Sequence, residues 1–190
     1  DDDVMYGNGN STLWGGLGRD TLTGSDNSAL NAGDGNDVLI GHGNSQLHGA
    51  DGNDTISVYD TADAYGEDGN DTITLVNGDH AYGGTGNDLL ISEGQGTLDG
   101  GLGNDIFQLG GDMGAIEGGG RVVLGAGDDL VRFRFPGLEP DPSDDTTMIP
   151  GNVLAPYTIA GYVPGQHSFA LTGISVPTDL NFTTTGSGVT

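Results

Sequence analysis

The sequence predicts an all-β chain folded as a parallel β-solenoid of about 17 residues per coil, and three observations carry that prediction. Aspartates recur at Asp20, Asp37, Asp54, Asp71, Asp88 and Asp105, each 17 residues after the last. Two apolar columns keep the same period: Met5, Leu22, Leu39, Ile56, Ile73, Leu90 and Phe107 two residues after each aspartate, and Leu13, Leu30, Leu47, Ala64, Ala81 and Leu98 between them. Glycine and asparagine recur too often for a 3.6-residue apolar period to persist, so almost no helix is expected between Asp1 and Phe135.

Around each aspartate stands one nine-residue phrase: GGLGRDTLT from Gly15, AGDGNDVLI from Ala32, GADGNDTIS from Gly49, GEDGNDTIT from Gly66, GGTGNDLLI from Gly83 and GGLGNDIFQ from Gly100. A weaker copy, LGAGDDLVR, begins at Leu124. Counting back 17 from Asp20 reaches Asp3, so the chain opens inside a repeat and is expected to be the C-terminal piece of a longer protein. Each coil should run turn, three-residue strand, turn, three-residue strand, with Gly where the backbone needs positive φ. Stacked coils then make two parallel sheets around a thin core.

Composition narrows the function. The chain carries 28 Asp plus Glu against 4 Lys plus Arg, a formal net charge of -24, which excludes nucleic acid as a partner because phosphate binding needs basic residues. Hydrophobic residues are only 34% and Gly numbers 38 of 190, so a large apolar core is excluded. Without cysteine there is no disulfide, thiolate metal site or cysteine nucleophile, which fits a secreted protein held together by other means. No run approaches the ~20 apolar residues of a transmembrane segment.

One aspartate per coil, stacked at the ~4.8 Å strand spacing, makes a ladder of like charges that repel unless cations lie between the rungs. Calcium suits such a ladder, because it takes 6 to 8 oxygen ligands from carboxylates and from carbonyls that a Gly-rich turn points inward. The phrase follows the pattern G-G-x-G-x-D-x-U-x, and over about two-thirds of its length the chain resembles the RTX (repeats-in-toxin) family of calcium-binding nonapeptide repeats. The resemblance implies a right-handed parallel β-roll with calcium between neighbouring turns. Carried onto this chain, it implies carboxylate ligands Asp3, Asp20, Asp37, Asp54, Asp71, Asp88, Asp105 and Asp129. It implies carbonyl donors at phrase position one (Gly15, Gly49, Gly66, Gly83, Gly100), position two (Gly33) and position three (Leu17, Asp34, Asp51, Asp68, Thr85, Leu102). Position four adds Gly18, Gly35, Gly52, Gly69, Gly86, Gly103 and Gly127. The eight-residue links between phrases lack the G-x-G-x-D of the phrase, so the calcium row is expected on one side only, with about five to seven ions. An EF-hand loop is absent.

The step from Asp105 to Asp129 is 24 residues, and the extra run LGGDMGAIEGGG from Leu109 to Gly120 marks a bulge or the end of the solenoid. All 7 prolines fall from Pro136 onward, so residues 1–135 are expected to form the roll and 136–190 a Pro-containing linker with a small β-rich cap that includes HSFALT and LNFTT. The family resemblance implies type I export machinery as a partner, a secreted or bacterial cell-surface location, and a secretion signal for which Val176 to Thr190 is the candidate. It also implies a chain that is disordered without calcium and folds outside the cell.

No catalytic residues are expected. His42, His48, His80 and His167 show no metal spacing and are read as surface histidines. Trp14, Tyr65 and Tyr82 would form an exposed stripe that either packs as ordinary strand or stacks on sugar. Asn36, Asn53, Asn70, Asn87 and Asn104 form a row read as satisfying turn backbone through left-handed geometry. A likeness of GTGND at Gly84 to ice-binding adhesin repeats keeps an ice face as a minor alternative, since position three carries Asp34, Asp51 and Asp68 where threonines would stand. Alternatives are a surface-layer, filament or adhesin module joining copies of itself or cell-surface components, and an accessory module of an exported hydrolase or epimerase.

Overall fold

The computed structural model describes residues 1–77, 80–93, 95–110, 120–134, 158–161, 163 and 166–172. Its strands are, in chain order, β1 (Val4–Gly7), β2 (Thr12–Leu17), β3 (Thr21–Gly24), β4 (Ala29–Asp34), β5 (Val38–Gly41), β6 (Gln46–Asp51), β7 (Thr55–Val58), β8 (Asp63–Asp68) and β9 (Thr72–Leu75). They continue as β10 (His80–Thr85), β11 (Leu89–Ser92), β12 (Thr97–Leu102), β13 (Ile106–Leu109), β14 (Arg121–Val123), β15 (Leu130–Arg134), β16 (Thr158–Ala160) and β17 (Ser168–Thr172). The odd-numbered strands form one nine-stranded sheet and the even-numbered strands one eight-stranded sheet, each in sequence order. Pairing is parallel throughout, as between Met5 and Leu22 or Leu13 and Leu30, so the fold is the predicted 17-residue β-solenoid. The described residues contain no helix, and hence none long and apolar enough to cross a membrane.

Strands are longer than the three residues expected. The four-residue odd strands begin just after the aspartate, and the even strands from β2 to β12 run six residues because pairing continues into phrase position three, Leu17 with Asp34 for example, while β14 and β16 keep three. The 24-residue step neither ends nor shifts the solenoid: Ile106 pairs with Leu130 and Thr97 with Arg121. Residues 111–119 of that insertion lie outside the described residues. Beyond Phe135, β16 and β17 extend both sheets by one further coil. LNFTT and Val176 to Thr190 lie outside the described residues.

Strand alternation turns both predicted apolar columns inward, where Leu22, Leu39, Ile56, Ile73, Leu90, Leu30, Leu47, Ala64 and Ala81 are fully buried. A third inward column, two residues after the first, adjusts to the second. Gly24 and Gly41 face Leu30 and Leu47, and a Cβ on Gly41 would overlap the Leu47 side chain. Where the second column narrows to Ala64 and Ala81, the third widens to Val58 and Leu75. Across these four coils the second and third columns thus trade volume, which close packing demands.

The first three link-side turns close on serine hydroxyls. Ser11, Ser28 and Ser45 each donate a hydroxyl to the carbonyl three residues back, at 2.6 to 2.7 Å. Asn27 and Asn44 each donate a side-chain amide to the asparagine one coil earlier.

Candidate metal centre

At the phrase-side turns the same alternation brings the aspartates inside. Asp20, Asp37, Asp54, Asp71, Asp88, Asp105 and Asp129 are all buried, at 0 to 2% exposure. Ionised carboxylates are among the groups least often buried unpaired, so their partners decide what the row is for.

One oxygen of each carboxylate is satisfied by the neighbouring coil. Asp20 N–H donates to Asp37 Oδ1 at 2.6 Å, Asp37 N–H to Asp54 at 2.7 Å, and Asp54 N–H to Asp71 at 2.8 Å. The pattern runs on through Asp88 and Asp105 to Asp129, where it spans the 24-residue step at 2.9 Å. Oδ2 of all seven is buried and accepts no hydrogen bond. Asp3 stands at the exposed end, donating its N–H to Asp20 Oδ1 at 2.7 Å.

The Oδ2 atoms share one surrounding. A Cβ added at Gly15, Gly49, Gly66 or Gly83 would overlap both the Oδ2 of that coil's aspartate and the position-one carbonyl oxygen of the next coil. Strand pairing passes over the same place: β2 and β4 pair Trp14 with Asn31 and Gly16 with Gly33 but not Gly15 with Ala32, and the omission recurs through β10 and β12. A glycine at position one therefore keeps clear the space on which an anionic oxygen and a carbonyl converge.

Electrostatics report the unmet need. Burial, followed by repulsion from neighbouring aspartates and opposed by the backbone hydrogen bond, pushes Asp54, Asp71, Asp88 and Asp105 up to about 6. Asp37 is raised for the same reasons. A buried acceptor row of this kind fits a hard divalent cation, which supplies positive charge and accepts carboxylate and carbonyl oxygens together. Among the described residues no cluster of three His, Cys, Asp or Glu side chains forms a side-chain cage, so the remaining donors would come from backbone.

The other expected donors are placed as follows. The position-three carbonyls of Asp34, Asp51, Asp68, Thr85 and Leu102 each accept the N–H of a position-four glycine one coil earlier, at 2.8 to 2.9 Å, and the Leu17 carbonyl accepts the N-terminal amine. Each keeps one lone pair. The side chains at position three point to solvent. Position-four glycines stack so closely that a Cβ on Gly35, Gly52, Gly69, Gly86, Gly103 or Gly127 would overlap the carbonyl oxygen of the glycine before it, and their positive φ values suit only glycine. The carbonyls of Gly18 through Gly103 thus each face the position-four glycine of the next coil, and Gly33 likewise packs against the Gly16 carbonyl.

The asparagine row satisfies backbone, but not through left-handed geometry. Asn36 Oδ1 accepts Asn53 N–H, Asn53 accepts Asn70, and Asn70 accepts Asn87, at 2.7 to 2.8 Å, and none of these asparagines has positive φ. Their oxygens are thereby committed to the neighbouring coil. Tyr65 stacks on Tyr82 at 4.9 Å and His48 on Tyr65 at 4.7 Å, so each tyrosine has a face covered by a neighbour, while Trp14 stands apart and exposed. His48 and His80 pair with Glu67 and Asp63 at 2.7 and 2.8 Å. His167 corrects the surface reading: it is buried, at 6% exposure, against Asp129. Its 38-residue separation from Asp129 broke the period that would have revealed it.

Among known proteins, the family model described as the RTX calcium-binding nonapeptide repeat (4 copies) matches residues 1–28, 24–56, 41–63, 64–79 and 75–107. The search of curated proteins gave no match, nor did the search of solved structures.

Proposed function

The chain belongs to the RTX calcium-binding nonapeptide repeat family, and from that premise we propose that it is a non-enzymatic calcium-triggered folding module of an exported bacterial protein. The observation that carries this is the row of buried aspartates whose Oδ2 atoms have no hydrogen-bond partner. Native proteins leave such groups unpaired only rarely, and a buried charge without a partner costs several kcal/mol.

In this reading Asp20 to Asp105 supply Oδ2, and the position-one carbonyls of Ala32, Gly49, Gly66, Gly83 and Gly100 supply a second oxygen from the next coil. Calcium, when bound, offsets the carboxylate charge and gathers these oxygens with those of the turn. The aspartate Oδ1 atoms hold the register between coils, so each rung that is neutralised ties two coils together. Five gaps between Asp20 and Asp105 form the body of the row, on one side of the roll only, because among the described residues no link-side aspartate is buried and serine hydroxyls close the first turns there. A core of three thin columns offsets little of the backbone entropy of a Gly-rich chain, roughly 1 to 2 kcal/mol per residue. Calcium binding energy therefore becomes folding energy. Low cytosolic calcium would keep the acidic chain extended for type I export, and high external calcium would fold it. In this reading residues 1–135 form the body of the roll and 136–190 a terminal module whose β16 and β17 add one last coil.

Bound calcium counted by equilibrium dialysis, with magnesium as competitor, tests this. Several calcium ions per chain that magnesium displaces poorly are expected; binding of one ion or none, or equal affinity for magnesium, would defeat the proposal.

A further inference from the structure

Asp129 ends the aspartate row, and the residue that follows it in register is a histidine. Ser168 pairs with Leu130 across β17 and β15, which sets His167 one coil beyond Asp129. It also takes the next place in the hydrogen-bond pattern: Asp105 N–H donates to Asp129 Oδ1 at 2.9 Å, and Asp129 N–H donates to His167 Nδ1 at 3.4 Å. The same Nδ1 lies 3.1 Å from Asp129 Oδ2, with both side chains out of solvent. Beside it, Gln166 Nε2 donates to the Gly127 carbonyl at 2.7 Å, and Gly127 is position four of this last phrase. Position one of the phrase is Leu124, fully buried, where Gly49, Gly66, Gly83 and Gly100 leave their space clear.

We propose that Gln166 and His167 form a plug that closes the calcium row at its C-terminal end, so that the turn beyond Asp129 takes no calcium. The proposal rests on the calcium reading above. The Gly127 carbonyl of this last turn is taken by Gln166, and the place of the next carboxylate rung, against the Asp129 N–H and Oδ2, is filled by the His167 ring. An imidazole nitrogen is a poor ligand for a hard cation that selects oxygen, and the Leu124 side chain adds apolar bulk where the other turns are open. A solenoid must end its stack, and the plug does this with side chains of the chain itself rather than another ion.

Calcium per chain, counted by equilibrium dialysis on the full chain, tests the plug in three proteins. Wild type and His167→Asn should bind the same number of ions, with the Asn variant melting about 2–4 °C lower in saturating calcium. The triple variant Leu124→Gly, Gln166→Gly, His167→Asp, which rebuilds an open turn and an aspartate rung, should bind one ion more. If the triple variant does not fold, the His167→Asn count decides alone. Loss of one calcium ion in His167→Asn would overturn the plug, because the imidazole would then be a ligand. Uptake of one zinc ion by wild type that His167→Asn abolishes would overturn it equally. A wild-type chain that binds no calcium would sink the parent reading instead, and is thereby distinguishable.

Discussion

Asp71 Oδ1 accepts the backbone N–H of Asp54 at 2.8 Å, while Oδ2 of the same carboxylate is buried and accepts nothing. Under the proposed function the two oxygens have separate tasks, one holding register and the other serving a cation. Asp71→Asn keeps an oxygen acceptor for the Asp54 N–H but removes the charge. It should weaken calcium binding about tenfold or more, ~1.4 kcal/mol, and raise the residual β content in chelator. Calcium titrations of both proteins, with chelated controls, check the two signs together.

Position one should tolerate no methyl where it is glycine. Gly66→Ala places a Cβ against Asp71 Oδ2 and the Gly83 carbonyl, and should cost about 1–3 kcal/mol in saturating calcium as well as weaken binding. Ala32 holds position one of the Asp37 phrase and is buried, so Ala32→Gly should strengthen calcium binding. Thermal midpoints and calcium titrations of both variants, compared with wild type, test this pair of opposite outcomes.

The pH dependence has a defined sign. Asp54, Asp71, Asp88 and Asp105 sit at about 6 in the fold against an ordinary 3.8, so between those values the folded chain binds more protons than the unfolded one. Stability of the metal-free fold from this source is fully present below about pH 4 and is lost as pH rises through 6. In chelator the chain should therefore show more β structure at pH 5 than at pH 7. Calcium must displace those protons, so the calcium midpoint should rise when pH falls from 7 to 5. Circular dichroism at both pH values, with and without calcium, reads both effects.

The core columns should couple. Gly41→Val drives a branched side chain into Leu47 and should cost about 1–3 kcal/mol, and adding Leu47→Ala should recover much of that loss by copying the Val58 and Ala64 arrangement. A double-mutant cycle on thermal unfolding in calcium measures the coupling.

Much of the fold is legible in the sequence because the 17-residue period and strand alternation are both imposed by backbone geometry. Met5 to Phe107 and Leu13 to Leu98 name two inward columns directly. The third is hidden, since Gly24 and Gly41 read as turn residues until their closeness to Leu30 and Leu47 is seen. The aspartate rungs are equally plain, but the division of work between Oδ1 and Oδ2 depends on which backbone N–H the neighbouring coil presents. Gln166 and His167 escape altogether, because their partners lie 39 and 38 residues away and no period links them.

Far-ultraviolet circular dichroism of the purified chain during a calcium titration from chelator, with magnesium in parallel, tests the central claim most directly. A cooperative, reversible gain of β signal with calcium and none with magnesium is the predicted result. A chain already fully folded in chelator at pH 7 would contradict the account, since the buried Asp71 row would then stand without the cation it is argued to require.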